Sequence, residues 1–299
     1  MNAEIVINNV RKANIFCEIL KKLKTFTESI TLMVNDERVF IQGMDASHIT
    51  IFELTLQKKW FTLLQVSGGE NKEFSMNTTI LSKVLAIKTE HQTLRFYNTN
   101  DTMDKLSIDM CSDNNDEYDK FFEVPLVDLD TELMSIPHTE YDATIQMKSK
   151  HFKTIIDGFC QFEFNDVTIE CLENTVYFKT DSSEGTMKTQ IQDEQLLTYA
   201  VIEDSQVVNH FNLNFLSKMC QFIKISDTVL VQQSKGIPIE IRYSIEDNEN
   251  DMIPNDDVNG NDTTEKSDDD TCDEPDISEQ NYLRFYLAPS IGMDDDDEL

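Results

Sequence analysis

The sequence lacks the features that mark secreted, membrane and metal-binding proteins. Six cysteines are scattered over 299 residues without a CxxC pair, so we expect neither a zinc site nor a disulfide framework. No stretch reaches the roughly eighteen apolar residues of a membrane span. The N-terminal "MNAEIVINNVRKANIF" has no uninterrupted apolar core of the kind found in signal peptides. These absences favour a protein of a reducing compartment with no membrane partner.

Motifs of catalysis are also missing. Asp45 and His48 in "MDASH" could serve as an acid and a base, but no nucleophile motif, glycine-rich phosphate loop or HExxH accompanies them. The Asp-rich tracts lack the glycine and the terminal glutamate of an EF-hand loop. We therefore expect no enzymatic activity, no cofactor and no bound metal.

Positive charge is scarce. The chain has 25 Lys and Arg against 56 Asp and Glu, for a net charge of −31. Residues 247–280 contribute fourteen of these acids against the single Lys266, and Asp294–Glu298 adds five more. Their composition predicts a disordered acidic insertion and a short acidic tail. Taken alone, the net charge argues against nucleic acid as a partner.

Four segments have the opposite charge. Each has apolar residues three or four positions apart, which predicts an amphipathic helix. The windows 11–25, 77–91, 147–161 and 211–225 together hold twelve Lys and Arg against three acids. Lysines often decorate solvated helix faces, but four basic helices in so acidic a chain could form one surface that meets a phosphate backbone.

The four segments recur at intervals. The predicted helices begin near residues 14, 77, 149 and 213, and each is followed by short β-branched and aromatic runs that are typical of strands. This pattern predicts an α+β fold of two similar domains. Each domain would contain two helix-plus-antiparallel-strand repeats, with the helices on one face of the sheets.

Three further segments are "GMDASHITIFELTL" (43–56), "LVDLDTELMSIPHTEY" (126–141) and "YLAPSI" (286–291). In their order and approximate spacing they resemble the motifs of proliferating cell nuclear antigen, the eukaryotic-type DNA sliding clamp. The resemblance implies a two-domain DNA clamp (processivity fold), with domains at 1–123 and 141–299 and an interdomain connector at 124–140. It also implies that the last strand pairs with "PIEIRYSI", so that the acidic insertion lies in the hairpin between them.

The resemblance further implies a homotrimeric ring around double-stranded DNA, held without sequence specificity and with the helices lining the hole. By analogy, the strand near 117–124 of one subunit would pair with that near 185–191 of its neighbour. Some family basic positions differ here, since Cys17 and Glu18 replace a lysine pair and Asp157 reverses a charge. The residues that we expect to face DNA are Lys21, Lys22, Lys24, Lys83, Lys150, Lys153, Lys218 and Lys224.

A second site that the resemblance implies is an outer hydrophobic cleft. It would bind a DNA polymerase and other proteins through PIP-box-like motifs, and a clamp loader is a further expected partner. The alternative is that the same apolar residues are ordinary core and loop fillers. The predicted partner-binding residues are Met44, His48, Ile49, Ile51, Met134, Ile136, Pro137, Pro238, Tyr286, Leu287, Ala288 and Pro289.

Two other functions remain open from the sequence. The chain could be one subunit of a hetero-oligomeric, checkpoint-type clamp, although the connector and "YLAP" favour a replication clamp. It could also be an acidic chaperone for basic proteins, in which case deletion of 247–280 would abolish function. The expected location of a replication clamp is the nucleus, or a cytoplasmic viral replication site if the protein is virus-encoded.

Overall fold

The structure, a computed structural model, describes residues 2–68, 71–99, 101, 103–114, 117–129, 132–162, 164–182, 185–203, 205–246 and 280–290. The predicted acidic insertion and tail lie almost entirely outside these residues. The helices in the described part are α1 (Val10–Leu23), α2 (Thr78–Ala86), α3 (Ser149–Cys160) and α4 (Leu213–Met219). The first half contains the strands β1 (Ala3–Ile7), β2 (Ser29–Val34), β3 (Arg38–Met44), β4 (Thr50–Gln57), β5 (Leu63–Val66), β6 (Lys72–Asn77), β7 (Leu94–Asn98), β8 (Lys105–Met110) and β9 (Lys120–Pro125). The second half contains β10 (Ala143–Lys148), β11 (Asp166–Leu172), β12 (Thr175–Ser182), β13 (Gly185–Gln192), β14 (Thr198–Val201), β15 (Val207–Asn212), β16 (Thr228–Gln233), β17 (Ile239–Ser244) and β18 (Tyr282–Leu287).

The two halves have the same order of elements. In each, a strand and a helix are followed by five strands, a second helix and three further strands. The order therefore makes β9 equivalent to β18, and β4 equivalent to β13. The α+β fold with two similar halves that the sequence predicts is confirmed.

The strands form three antiparallel sheets. Their orders are β5-β1-β7-β8-β9, β14-β10-β16-β17-β18-β4-β3-β2-β6 and β13-β12-β11-β15. The nine-stranded sheet contains strands of both halves, and it is continuous because β18 pairs with β4 in the register Phe285↔Phe52. The pairing of β18 with β17, in the register Ile241↔Phe285, is the one that the family resemblance implies.

The helices form a layer over the sheets. Helix α1 packs against α2, α3 packs against α4, and α1 also contacts the short 3-10 turn Cys220–Phe222 that follows α4. The apolar face of each helix is buried, as the spacing predicts; on α1 it includes Phe16, Ile19 and Leu23. Helix α1 begins at Val10, earlier than the predicted start near 14, because Asn9 caps it through a 3.0 Å bond from the Lys12 amide to Asn9 Oδ1.

Aromatic rings fill the junction between the two halves. The ring of Phe26 lies 5.3 Å from that of Phe285 and 6.3 Å from that of Phe222, and Phe222 lies 5.2 Å from Phe285. Phe222 and Phe285 are fully buried. Close-packed aromatic contacts of this kind and a shared sheet hold the two halves together.

Candidate functional site

Four of the predicted DNA-facing lysines are exposed on the helix layer or just beyond it. Lys24 follows α1, Lys83 lies on α2, Lys150 lies on α3, and Lys224 follows the 3-10 turn after α4. Since the four helices are packed side by side, these ammonium groups belong to one layer rather than to separate surfaces. The arrangement provides dispersed positive charge of the kind that attracts a phosphate backbone without reading its sequence.

Two further lysines share one carboxylate. Lys21 pairs with Glu18, and Lys22 Nζ lies 3.3 Å from Glu18 Oε2. Partial burial favours the neutral acid, but the hydrogen bond and the charge of Lys21 hold the pKa of Glu18 below its usual range. Lys22 also donates to the backbone oxygen of Gln221 and lies 5.8 Å from the centre of the Phe222 ring. Lys22 of the first half thus contacts two residues of the second half at the junction between the halves.

The second half contains a similar pairing. Lys153 Nζ lies 2.8 Å from Asp157 Oδ2, one helical turn along α3, and Lys218 Nζ lies 4.9 Å from the centre of the Phe215 ring. Glu18 and Asp157 occupy the ninth position of α1 and of α3, respectively. Exposed ion pairs are weak, so Lys153 keeps most of its ability to contact an anion. The carboxylate of Asp157 lowers the positive potential around Lys153.

On the outer face of the nine-stranded sheet, several predicted partner-binding residues lie in one row. The strand registers pair Met44 with Ile51, Ile51 with Tyr286, and Tyr286 with Glu240. Ile51 and Tyr286 are 235 residues apart along the chain, and they become neighbours because β18 lies between β17 and β4. Ala288 N donates to Ile49 O at 3.0 Å, which fastens the "YLAP" corner to the "MDASH" loop.

The "MDASH" loop is held by the side chain of Asp45. Its carboxylate accepts hydrogen bonds from the Ser47 hydroxyl and from the amides of Ser47, Ile49 and Thr50, the first two amides at 2.8 and 2.9 Å. Burial alone would raise the pKa of Asp45, but these donors lower it below the usual value. His48 has a φ of 59° and is exposed beside Ile49. Asp45 therefore shapes the loop, which leaves no reason to treat it as a catalytic acid.

The connector is fixed to this face by Gln42. Gln42 Nε2 donates to Met134 O at 2.9 Å, and Met134 N donates to Gln42 Oε1 at 2.7 Å. Gln42 Nε2 also lies 2.8 Å from Glu53 Oε1, and Glu53 forms a largely buried ion pair with Arg284 at 2.5 Å. The backbone position of the connector thus depends on a polar network beneath it.

A cleft of about 400 Å³ lies between the connector and the sheet. The predicted residues Ile136, Pro137 and Tyr286 line it together with Arg242 and Arg284. Tyr141 also lines the cleft, and burial, with a smaller contribution from Glu240, raises the pKa of its hydroxyl to about 12. An apolar wall with a few polar groups beneath it is the usual form of a peptide-binding groove.

The other predicted partner-binding residues are not part of the lining of this cleft, and they differ in exposure. Pro238 is exposed, and Ala288 and Pro289 are partly buried. Leu287 is fully buried, and it pairs with Ile239 and Thr50 inside the sheet. Its contribution to a partner surface is therefore limited to supporting its neighbours.

Comparison with known families gives two matches that follow one another along the chain. Residues 6–133 match the N-terminal domain of proliferating cell nuclear antigen, and residues 135–253 match its C-terminal domain. The chain belongs to the proliferating cell nuclear antigen family.

Two relatives illustrate how far this likeness extends. The proliferating cell nuclear antigen of Chaetomium thermophilum is 26% identical over 96% of this chain and 98% of its own length. That of Dictyostelium discoideum is 28% identical over 79% of this chain and 92% of its own length. The identities are modest, but the match to the Chaetomium protein extends over nearly the full length of both chains.

Membership of the proliferating cell nuclear antigen family assigns the function. The chain is a DNA sliding clamp and processivity factor, and the family is one of non-enzymatic, DNA-encircling trimeric clamps that bind polymerases and other proteins. Neither the checkpoint-type subunit nor the acidic chaperone is favoured. Family members act in DNA replication, which is consistent with a nuclear or replication-site location. No helix in the described part of the chain is long and apolar enough to cross a membrane.

Sequence reasoning missed the polar floor of the cleft and part of the helix layer. Gln42, Glu53 and Arg284 lie on β3, β4 and β18, and none of them is among the predicted partner-binding residues. Lys88 was counted among the basic residues of its segment but was not assigned to the DNA-facing set, although it lies beside α1. The only signal in the sequence was the presence of polar or charged residues in strands and at a helix end. Such a residue does not reveal which distant residue it contacts.

Proposed function

We propose that this clamp closes its ring by repeating between subunits the joint that it contains within one chain. Inside the chain, β18 of the second half pairs with β4 of the first half. The equivalents of these strands are β9 and β13. Each of them lies at the edge of its sheet, with one strand neighbour among the described strands. Pairing of β9 with the partner subunit's equivalent of β13 gives a head-to-tail interface that continues around a ring.

Two other sheet edges are already occupied within the chain, which supports the choice of β9 and β13. Val127 N donates to Ser75 O at 2.9 Å, next to β6, and Ser290 N donates to His210 O at 2.7 Å, next to β15. In contrast, the β9 region leaves Tyr118 86% exposed and Phe121 67% exposed. Large exposed apolar side chains on an edge strand are typical of an interface.

In this proposal the helix layer faces the hole, and its predicted lysines contact the backbone of duplex DNA. The cleft under the connector binds aliphatic and aromatic anchors of polymerase and other partner peptides. In this proposal each subunit consists of two domains, 1–123 and 141–299, which are joined by the connector 124–140. Replication in the nucleus is the expected setting, with a viral replication site as the alternative.

The ring is tested by a charge placed on the β9 edge. Phe121→Asp would bury an unpaired carboxylate in the interface, which costs several kcal/mol, so we expect a monomer by light scattering at micromolar concentrations where the unaltered protein is a trimer. Leu63→Asp is the matched control, because Leu63 is a partly exposed leucine on β5, the opposite edge of the same sheet. A trimeric Phe121→Asp variant, or a monomeric Leu63→Asp variant, contradicts the proposed joint.

Threading is tested separately. Rings placed on nicked circular DNA should stay bound during gel filtration and should be lost once the circle is cut, because only a topological link depends on closure of the DNA. Equal retention on circular and linear DNA would contradict encirclement.

A further inference from the structure

The strands β4 and β13 occupy equivalent places in the two halves, and their residues can be aligned one by one. A 3-10 turn follows β4 at Lys58–Trp60 and follows β13 at Asp193–Gln195. In both turns the amide of the next residue donates to the carbonyl oxygen of the first residue. Since the turns begin at equivalent positions, Glu53 on β4 corresponds to Lys188 on β13.

The strands β9 and β18 are aligned in the same way by the bonds that follow them. Val127 N and Ser290 N donate to the equivalent strands β6 and β15. Counting back from these two amides, Phe121 on β9 corresponds to Arg284 on β18. Glu123 lies two positions further along β9 and therefore on the same face of the sheet as Phe121.

The internal joint then supplies a register for the joint between subunits. Inside the chain, Arg284 lies opposite Glu53 and forms an ion pair with it. The same register between subunits places Phe121 opposite the partner subunit's Lys188, and Glu123 is diagonal to that lysine. Diagonal neighbours on adjacent strands are about 7–8 Å apart, which is within reach of long side chains.

On the face away from the helices, the two edges that would meet have opposite charge. Asp119 and Glu123 are exposed there, and Glu123 also lies 2.7 Å from Lys105 within its own subunit. Lys120 points to the other face, where its ammonium donates to the backbone at the end of α2. The single charged residue of β13 is Lys188. The β9 edge is thus acidic on this face, and the β13 edge is basic.

Lys188 is held where a neighbouring subunit can reach it. Its ammonium lies 3.6 Å from the centre of the Tyr177 ring, and its side chain is exposed. Lys179 lies 5.0 Å from the same ring but pairs with Glu170. Among the described residues Lys188 forms no ion pair, so its charge is available to an acid of the partner.

We propose that these charges make the joint selective, so that β9 pairs with β13 of a neighbour and neither strand pairs with its own kind. The inference rests on the proposed function. A β9–β9 contact would bring together the acids of two subunits, and a β13–β13 contact would bring together two lysines; both arrangements are repulsive. Head-to-tail pairing neutralises both edges, and it closes a ring rather than a two-fold dimer. Because Asp119 and Glu123 share the partner subunit's Lys188, no cation remains for the added carboxylate of Phe121→Asp.

The test reverses each charge alone and then both together in the full-length protein. Lys188→Glu and Glu123→Lys each set like charges across the joint, so each should raise the protomer concentration at which half of the trimer dissociates by about 10-fold or more. The double variant exchanges the two charges and should reverse most of that change. Mass photometry over a dilution series measures the dissociation. Lys235→Glu, at an exposed lysine in the β16–β17 turn, is the matched control for charge reversal.

Selectivity is tested by mixing subunits with different tags. Two samples of the unaltered protein, diluted until they dissociate and then concentrated together, should form mixed trimers. Unaltered and double-variant subunits should instead sort into separate trimers, because every head-to-tail joint between them sets acid against acid or lysine against lysine. Native mass spectrometry distinguishes the two results.

Each result decides the proposal. Weaker trimers in both single variants, recovery in the double variant and sorting in the mixture support it, with circular dichroism checking that the fold is unchanged. Unchanged single variants, a double variant no stronger than the single variants, or free mixing overturns the charge rule and leaves the ring intact. If the unaltered protein is not a trimer in the same assay, the proposed joint itself is contradicted.

Discussion

The connection between β17 and β18 gives the most quantitative prediction. Its two ends meet, since Ile245 N donates to Asn281 O at 2.8 Å, and Asn281 Oδ1 accepts from Gln57 N at 2.7 Å. If residues 247–279 are removed, Glu246 and Gln280 become a two-residue connection between paired positions. Replacing these two by Asn-Gly supplies the residues that a type I′ hairpin turn requires.

The expected effect follows from loop closure. The entropic cost grows as (3/2)RT ln n, so shortening the connection from 35 residues (246–280) to two should increase the free energy of unfolding by about 2.5 kcal/mol per protomer. The net charge falls in magnitude from −31 to −17, because the fourteen acids of 247–279, Glu246 and Lys266 are all lost. Reduced self-repulsion acts in the same direction.

Urea unfolding at a fixed protomer concentration measures this change, and light scattering measures the trimer. A control of unchanged length, with every Asp and Glu of 247–279 replaced by Asn or Gln, separates charge from chain length. We expect the shortened protein to remain a trimer that is retained on circular DNA, and to be more stable than the control. Destabilisation by more than about 1 kcal/mol, or loss of the trimer, would refute the reasoning, because loop closure alone can only favour the shorter connection.

Two further predictions concern buried groups. Phe285→Ala should lower the free energy of unfolding by about 3–5 kcal/mol, since it removes a ring that contacts Phe26 and Phe222 at the junction; a loss below 1 kcal/mol in urea unfolding would show that the junction is not a packed core. Burial raises the pKa of Cys17 to about 12, so iodoacetamide at pH 8 should leave it unmodified while the exposed Cys160 reacts. Equal labelling of the two thiols by mass spectrometry would contradict this.

The helices and most strands could be predicted from the sequence because their signals are local. The spacing of Phe16, Ile19 and Leu23 requires one buried helix face, and Asn77 caps α2 by accepting from Ile80 N at 3.1 Å. The predicted start of α1 is too late. The first turn after the Asn9 cap contains polar residues that give no apolar periodicity, so the sequence pattern does not mark where the helix begins.

The site could be predicted only in part, because its remaining contacts join distant residues. Pairing of β18 with β4 brings together residues such as Tyr286 and Ile51, and no local pattern encodes that choice of partner. The alternation in "YLRFYLA" directs Arg284 to the outer face, but only the fold shows that Glu53 pairs with it beneath the connector. Similarly, Glu18 was recognised as a lost basic position, whereas its pairing with both Lys21 and Lys22 depends on side-chain geometry.

The position of β18 has a consequence for synthesis of the protein on the ribosome. This strand is made after all the other described strands, yet it lies in the middle of the nine-stranded sheet. In a nascent chain, β17 and β4 therefore remain unpaired edges until β18 emerges. Strand β4 is equivalent to β13, the strand with which β9 of a neighbouring subunit is proposed to pair. An unfinished chain thus offers finished ones a site for premature and incorrect pairing. Cells that make this clamp must keep nascent chains apart, or shield β4, until β18 has left the ribosome and paired.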